Sequence, residues 1–251
     1  MKFIPVKTRA FLPPKDDIYQ LFGHYLPRLR EGDILFITSK ILAIHQGRCV
    51  KIRPGVRKDD LIIKEAEKFI PRDKIPKGYV VLTIKGYTLI PSAGIDESNG
   101  NGYYILWPKN ISKAARTICN FLKKKFKLKK LAVVITDSHT TPLRYGVTGI
   151  SLGFFGILPL VDYRETPDIF GRKLKITRTN IIDPLAAMAV LLMGEGKERT
   201  PMLVLRGTNF IKFTNKDTFK MLIIPKNLDI YAPLLKVFQK EPKFDRKRKT
   251  K

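Results

Sequence analysis

Three acidic residues stand where apolar segments of this chain give way to polar loops. Asp96 lies in the turn PSAGIDESNGN after the run GYVVLTIKGYTLI, Asp137 directly follows LAVVIT, and Glu195 follows the end of an apolar segment. Loops that leave buried elements are the usual place for ligand-binding groups. Carboxylates suit Mg²⁺ or Mn²⁺, which prefer hard oxygen ligands shared with substrate phosphates. The pattern therefore indicates a divalent-metal site, provided that the fold brings the three residues together.

Each of these carboxylates also has a structural alternative. Asp96 could cap its turn, Asp137 could cap the loop that follows it, and Glu195 could be a solvated surface residue. Hydroxyl and amide neighbours favour the metal hypothesis because they add oxygen ligands: these are Ser98, Asn99 and Ser138. The residues alone leave both interpretations open.

Several common catalytic motifs are missing from the sequence. The stretch GEGKERT lacks the GxxxxGK[ST] spacing of a phosphate loop and follows a predicted helix instead of opening one. No GxGxxG follows a strand, and neither HExxH nor GxSxG occurs. The three histidines and two distant cysteines give no zinc pattern. These absences argue against a P-loop nucleotidase, a zinc peptidase and a serine hydrolase.

The chain is strongly basic, with 48 Lys and Arg against 22 Asp and Glu and a formal net charge of +26. Such an excess favours polyanionic partners, including nucleic acid and phosphorylated small molecules, although dispersed lysines can simply be solvated. The charge clusters only at KKKFKLKK (123–130) and in the C-terminal KFDRKRKTK. A non-enzymatic nucleic-acid-binding protein is therefore the alternative to an enzyme.

Cysteine usage and hydropathy predict a cytoplasmic protein without a membrane partner. Cys49 and Cys119 have no CxxC partner, which is typical of free thiols in a reducing compartment. The N-terminal MKFIPVKTRAF is too charged for a signal peptide. No apolar run approaches the about 18 residues of a spanning helix.

Periodicity predicts strands and helices that intermix without a strict βαβα order, so the fold class is α+β or mixed α/β. We predict strands over 2–11, 32–39 and 131–136, in YVVLTI and YTLI as a hairpin, and in PMLVLRG. We predict helices from about Asp16, in KILAIHQGR, in LIIKEAEKFI, over 110–126, and in NIIDPLAAMAVLLMG. Gly149, Gly153 and Gly156 indicate tight packing of one element on another, conceivably across a subunit interface. We predict a single domain over residues 1–240, with a candidate subdomain border near 123–130, and a disordered basic tail over 241–251.

A set of long motifs, in order from about Lys2 to Gly207, resembles one known family. The motifs are GDILFITSKI, AGIDESNG, VVITDSHTTPLRYGVTG, LPLVDYRETPDIFGRKLKIT, DPLAAMAVLLMGEG and PMLVLRG. They resemble the coenzyme F-420-0:L-glutamate (γ-glutamyl) ligase family, and the DSHTTPLRYGVTG version is similar to a bacterial branch described as folate-metabolism γ-glutamate ligases.

The resemblance implies a fold and a reaction. It implies that residues 1–240 form a single domain of the γ-glutamyl ligase-like fold, with two intimately joined subdomains, assembled as an intertwined homodimer. It implies that GTP drives amide formation between L-glutamate and a carboxylate acceptor through an acyl phosphate, with two Mn²⁺ or Mg²⁺ sites and potassium. The acceptor would be a folate-like pterin or the deazaflavin coenzyme F-420 precursor.

The resemblance also assigns roles to residues of this chain. It implies four metal ligands: Asp96, Asp137, Ser138 and Glu195. It implies nucleotide contacts from Phe11, Leu12, Pro13, Pro14, Ser39, Lys40, Asn99, Met193, Gly194, Glu195 and Gly196. In catalysis, Lys40 would act as a point charge on the phosphates, and Arg144 would hold a carboxylate of glutamate or acceptor.

Two departures from the family pattern bear on specificity. Ile44 stands where the family has a further nucleotide-binding lysine, so the preference for GTP over ATP is open. SHTTPLRYG follows Asp137 where deazaflavin ligases read closer to Thr-Phe-Gly-Arg-Pro, so the acceptor is open as well.

Overall fold

The computed structural model describes residues 1–239, so the predicted disordered tail 241–251 lies outside the described residues. Within this range there are five α-helices: α1 (Ile18–Tyr25), α2 (Ser39–His45), α3 (Lys58–Glu65), α4 (Ile111–Phe126) and α5 (Ile182–Met193). The strands are β1 (Lys2–Val6), β2 (Asp33–Thr38), β3 (Cys49–Lys51), β4 (Lys68–Ile70), β5 (Leu82–Lys85), β6 (Thr88–Pro91), β7 (Tyr103–Ile105), β8 (Leu131–His139), β9 (Thr148–Phe155), β10 (Leu160–Asp162), β11 (Arg178–Asn180) and β12 (Met202–Arg206).

A five-stranded sheet in the order β1-β12-β2-β8-β9 forms the centre of the molecule. β2 and β8 run parallel, and the other neighbours are antiparallel. Because side chains alternate along a strand, Leu35 and Ile37 pack with α1, α2 and α4, whereas Ile34 and Phe36 pack with α5. Both faces of the sheet are therefore covered, which explains the continuous apolar runs in β2 and β8. The predicted mixed α/β class is confirmed.

A smaller unit packs beside this sheet and carries the acidic turn. It contains the three-stranded sheet β4-β5-β6 and the pair β3-β7, with a separate apolar core around Ile62, Phe69 and Leu106. β5 and β6 form the predicted hairpin. After β6 the backbone N–H and carbonyl of Asp96 pair with Ile105, which fixes the acidic turn against β7.

Two predicted elements end earlier than expected. The first strand stops at Val6, because the N–H of Thr8 leaves the sheet and donates to the carbonyl of Arg199 at 2.8 Å. The predicted helix LIIKEAEKFI is wrong in its second half: α3 ends at Glu65, and Phe69 lies in β4. β4 pairs antiparallel with β5, and Phe69 also exchanges two backbone hydrogen bonds with Gln239, far along the chain, so pairing outside the segment overrides the local helical pattern.

The glycines of β9 pack against helices of the same chain. An added Cβ would lie 2.5 Å from the Ala186 carbonyl oxygen at Gly149, and 2.9 Å from Ile111 Cγ2 at Gly153. These glycines let α5 and α4 approach the sheet closely, so the predicted tight packing occurs within one chain. Among residues 1–239, no helix is long and apolar enough to cross a membrane.

Gly149→Ala should destabilise the protein, because the new methyl group overlaps a backbone oxygen that cannot move without displacing α5. Overpacking of this kind typically costs about 1–3 kcal/mol. Gly23→Ala is the matched control: its Cβ has only a contact at 3.9 Å, and alanine favours the helix. Urea unfolding should show a lower midpoint for Gly149→Ala alone; equal midpoints for the two variants would contradict this packing.

Candidate functional site

A cleft of about 670 Å³ opens where β2 and β8 end. Parallel strands bring their carboxyl ends to the same edge of a sheet, so the residues that follow β2 meet the end of β8. The walls come from five segments: 8–11, the start of α2, the acidic turn after β6, the end of β8 at 136–138, and the 193–201 loop after α5. Among the residues that line it are all three predicted carboxylates: Asp96, Asp137 and Glu195.

Asp137 lies near the end of β8, half-buried between the two units. Its Oδ2 accepts hydrogen bonds from Trp107 Nε1 at 2.5 Å and from Ser39 Oγ at 3.1 Å, and its Oδ1 accepts from the Ser138 N–H at 2.9 Å. Burial raises the pKa of Asp137 to about 6, against the opposing effect of these donors and of the Lys40 charge. A cation bound beside it would favour the ionised form of this carboxylate, which burial disfavours.

A β-bulge lies directly before Asp137. Ile135 pairs with Gly153 but Thr136 pairs with Ser151, so Leu152 is the extra residue of β9. Bulges bend a strand and redirect its side chains, and they are frequent beside active sites. The irregularity lies at the point where β8 changes from core strand to cleft wall.

Asp96 is bound by an ammonium group from the opposite wall. Lys40 Nζ donates to Asp96 Oδ2 at 2.7 Å, to the Ser98 carbonyl at 2.9 Å and to Ser98 Oγ at 3.3 Å. Burial would raise the pKa of Asp96, but the Lys40 and Ser98 hydrogen bonds outweigh it and hold the pKa below its ordinary value. Asp96 and Ser98 thus already form a cation-binding group of oxygens.

Glu195 belongs to the loop that follows α5. Burial raises its pKa, opposed by the Ser138 hydroxyl and the Lys40 charge and reinforced by the charges of Asp96 and Glu198. Glu195 therefore shares its electrostatic surroundings with Asp96, Lys40 and Glu198. Glu198 also shapes this loop, because its Oε2 accepts from the Gly196 N–H at 2.8 Å.

Within residues 1–239 no group of three His, Cys, Asp or Glu side chains lies close enough to hold one ion. The carboxylates therefore face one cleft without forming a closed metal cage. The lining contains neither cysteine nor histidine among the described residues. An open set of carboxylates and hydroxyls suits Mg²⁺ or Mn²⁺ that takes its other ligands from phosphates.

Most of the residues predicted to bind the nucleotide reach the same cleft. Its lining includes Phe11, Lys40, Asn99, Met193, Gly194 and Gly196 as well as Ser138. Asn99 Nδ2 also donates to the Gly196 carbonyl at 3.1 Å, which joins the acidic turn to the loop after α5. Ser39 contributes through its hydrogen bond to Asp137.

Five predicted residues do not line the cleft of this chain, and one of them is Ser39, which reaches it only through Asp137. Leu12, Pro13 and Pro14 follow Phe11 but do not line the cleft. Arg144 lies exposed in the 140–147 turn and does not line it either.

Sequence reasoning missed four residues that the structure brings to the site. Arg9, Lys197 and Arg199 line the cleft as cations, and Trp107 donates to Asp137 from behind it. Two hydrogen bonds to Asp16 fix the Arg9 guanidinium and lower the pKa of that carboxyl to about 2. The three cations could not be recognised in the sequence because Lys and Arg are so abundant. Trp107 stood out only because it is the single tryptophan of the sequence.

Comparison with known proteins identifies one family for this chain. The family model described as F420-0:Gamma-glutamyl ligase matches residues 8–207. The chain is 30% identical over 224 residues to a protein of Methanopyrus kandleri named coenzyme F420:L-glutamate ligase, with 82% of this chain and 87% of the relative covered. Proteins of the same name from Methanocaldococcus jannaschii and Methanosarcina mazei are 32% and 34% identical, covering 81% and 80% of this chain and 86% and 84% of the relatives.

Proposed function

The chain belongs to the F420-0:gamma-glutamyl ligase family, and on that premise we propose that it joins L-glutamate to a carboxylate acceptor in a reaction driven by GTP. The observation that carries the proposal is the cleft in which Asp96, Asp137 and Glu195 meet Lys40. Carboxylates for metal and cations for phosphate on facing walls are what binding of a metal–triphosphate complex requires.

The proposed metal ligands fit two ions better than one. Asp137 and Ser138 are adjacent on β8, Asp96 lies on the opposite wall, and Glu195 lies near Ser138. Mg²⁺ and Mn²⁺ typically use one or two protein carboxylates each and complete their shells with phosphates and water. Bound there, such ions would supply charge neutralisation for the transferring phosphoryl group.

The proposed chemistry has two steps. A carboxylate oxygen of the acceptor attacks the γ-phosphorus of GTP, forming a C–O–P linkage as the bond to the β-phosphate oxygen breaks and GDP leaves. The glutamate amine, after losing its ammonium proton to solvent, attacks the acyl carbon; the C–N bond forms, the C–O bond to phosphate breaks, and the nitrogen passes its surplus proton to the departing phosphate. The phosphorylation is needed because a free carboxylate is a poor electrophile at neutral pH.

Lys40 has two positions available to it in this scheme. Its ammonium is paired with Asp96 Oδ2 and with Ser98, all on the acidic turn. When Asp96 instead binds a divalent cation, the flexible side chain is released toward the phosphates as a compact charge. Arg144 is proposed to reach a substrate carboxylate from the exposed 140–147 turn.

The family name and the names of the relatives favour the coenzyme F-420 precursor as acceptor over a folate-like pterin. The decisive experiment incubates the protein with L-glutamate, GTP, Mn²⁺, K⁺ and a panel of deazaflavin and pterin carboxylates. Mass spectrometry should find a gain of one glutamyl residue on one acceptor, with stoichiometric GDP. Nucleotide turnover without any glutamylated product on any acceptor would contradict the proposal. A parallel reaction with ATP tests the nucleotide preference, which Ile44 leaves open.

Lys197 and Arg199 are expected to bind phosphate groups of the nucleotide. Both line the cleft, and neither has a carboxylate partner within 4 Å among residues 1–239. A hydrogen bond to a charged group contributes about 1.5–3 kcal/mol, so each alanine variant should weaken GTP binding roughly tenfold or more. Calorimetric titration of a non-hydrolysable GTP analogue would measure this. Lys51→Ala, which removes an exposed lysine at the end of β3, is the control, and equal affinities in all variants would refute the assignment.

We also propose that the protein is a homodimer. Large apolar side chains are almost fully exposed in the 140–147 turn and in the segment between β10 and β11: Leu143, Tyr145, Ile169, Phe170 and Ile176. Exposed apolar surface of this extent is typical of an interaction surface. The 140–147 turn also carries Arg144, so a dimer formed through it could bring that arginine to a site.

In the alternative function, nucleic-acid binding, a different surface would bind the ligand. The outer side of α4 exposes Lys113, Arg116, Lys124 and Lys125, away from the carboxylates of the cleft. Non-specific nucleic-acid binding needs only such cations and leaves the convergence of Asp96, Asp137 and Glu195 without a role.

A further inference from the structure

The only tryptophan of the chain lies behind a proposed metal ligand. Trp107 is 4% exposed, and its indole N–H donates to Asp137 Oδ2 at 2.5 Å. Ser39 Oγ donates to the same oxygen at 3.1 Å, whereas Oδ1 accepts from the N–H of Ser138, which lines the cleft together with Asp137. The indole therefore holds one oxygen of the carboxylate from the protein side.

The surrounding backbone is built to let the indole reach this position. Gly94 has a φ of +70°, and a Cβ there would lie 1.9 Å from Trp107 Nε1, so glycine is required both by its conformation and by the approach of the ring. Ile90 and Leu152 pack against the indole, and Leu152 is the extra residue of the β9 bulge. Residues of both structural units thus fix one ring.

Charged groups also constrain Trp107. Lys85 Nζ lies 5.5 Å from the ring centroid, and the Trp107 carbonyl accepts from Arg48 Nε at 3.1 Å. Lys85 and Arg48 are joined through Glu65, to which each donates. Trp107 is therefore held at three points: at the ring face by Lys85, at the backbone carbonyl by Arg48, and at the indole N–H by Asp137.

We propose that Trp107 is a positioning residue that orients Asp137 for a divalent cation, and that its fluorescence reports cation binding at that carboxylate. The inference rests on the proposed metal site. A hydrogen-bond donor behind a ligating group fixes the orientation of that group, and loss of such a partner typically costs about 10–100-fold in metal affinity or activity. The indole N–H supplies this restraint here, and Ser39 gives a second, longer one.

The first test uses the unaltered protein. Titration with Mn²⁺, and separately with Mg²⁺, should change the tryptophan emission in a saturable way. The midpoint should match the binding curve obtained from the electron paramagnetic resonance signal of free Mn²⁺. Asp137→Asn should lose the saturable change, whereas Asp162→Asn, which alters an exposed carboxylate bound by Arg164, should keep it. Mn²⁺ binding by resonance with no change in emission would overturn the reporter role.

The second test separates positioning from packing. Trp107→Phe keeps an aromatic ring but removes the N–H, so Mn²⁺ affinity should fall about 10–100-fold. Leu152→Ala loosens the packing around the indole and leaves its N–H, so it should lower the unfolding temperature with much less effect on Mn²⁺ affinity. Wild-type Mn²⁺ affinity in a folded Trp107→Phe would refute the positioning role, as would equal losses in the two variants.

These outcomes are distinguishable from failure of the proposed function. If glutamyl transfer occurs but Trp107→Phe binds Mn²⁺ normally, only the role of Trp107 is wrong. If Mn²⁺ changes the emission and no acceptor gains glutamate, the metal site stands and the proposed reaction is wrong.

Discussion

Asp137→Asn is expected to abolish Mn²⁺-dependent glutamyl transfer while the protein stays folded. The amide keeps the size of the side chain and an oxygen that can accept from Trp107, but it removes the negative charge that would bind the cation. The loss should exceed the roughly 10–100-fold that removal of an outer-shell partner costs. Initial rates of glutamylated product, measured with saturating GTP, give the comparison, with Asp162→Asn as the matched control.

The stability of Asp137→Asn provides a second, independent readout. Because burial raises the pKa of Asp137 from 3.8 to about 6, the folded protein bears an energetic cost when this carboxyl is ionised at pH 7. That cost is absent when the pH is below the unfolded-state pKa of 3.8. It develops between pH 3.8 and the folded-state pKa of about 6, and it is fully present above about pH 6. In metal-free buffer the stability of the variant relative to the wild type should therefore be greater at pH 7 than at pH 4, because only the wild type bears this cost. Retained activity, or a variant that unfolds, would defeat the assignment.

Lys40→Ala is expected to lower turnover and yet leave Mn²⁺ binding intact or stronger. The ammonium competes with a divalent cation for Asp96 Oδ2, so its removal exposes that oxygen. It also removes the charge proposed to stabilise the transferring phosphoryl group, and loss of one such group typically costs about 10²–10³ in kcat. Asp96→Asn should instead weaken Mn²⁺ binding and turnover together.

The opposite response of Mn²⁺ affinity in the two variants is what distinguishes their roles. Steady-state rates give turnover, and the resonance signal of free Mn²⁺ gives affinity. Lys113→Ala, an exposed lysine at the start of α4, is the control for general loss of positive charge. A Lys40→Ala protein with normal kcat, or one whose Mn²⁺ affinity falls as in Asp96→Asn, would contradict the proposed roles.

The sequence predicted those parts of the fold that local patterns determine. β2 and β8 are apolar runs bounded by turn residues, and α5 has Pro184 in its first turn and Gly194 at its end, so their positions follow from residues within each segment. β4 was missed because both of its partners lie outside its own segment: it pairs along its length with β5, and Phe69 also bridges to the remote Gln239. Local propensity carries no information about such pairing.

Some residues of the candidate site could likewise be recognised from local sequence, whereas the contacts between them depend on the fold. Asp96, Asp137 and Glu195 could be found because each follows an apolar element and matches a family motif. The pairing of Lys40 with Asp96 and of Trp107 with Asp137 could not, since each joins segments at least 30 residues apart. The bulge at Leu152 is a property of two strands together, and neither strand alone encodes its place.

The central claim is that the carboxylates of this cleft hold divalent cations beside a bound triphosphate, and counting bound Mn²⁺ tests it most directly. The count should be made by electron paramagnetic resonance with a saturating non-hydrolysable GTP analogue. Two Mn²⁺ per chain are expected for the wild type, with a clear loss in Asp96→Asn, in Asp137→Asn and in Glu195→Gln. No nucleotide-dependent Mn²⁺ binding, or the same count in all four proteins, would contradict the claim.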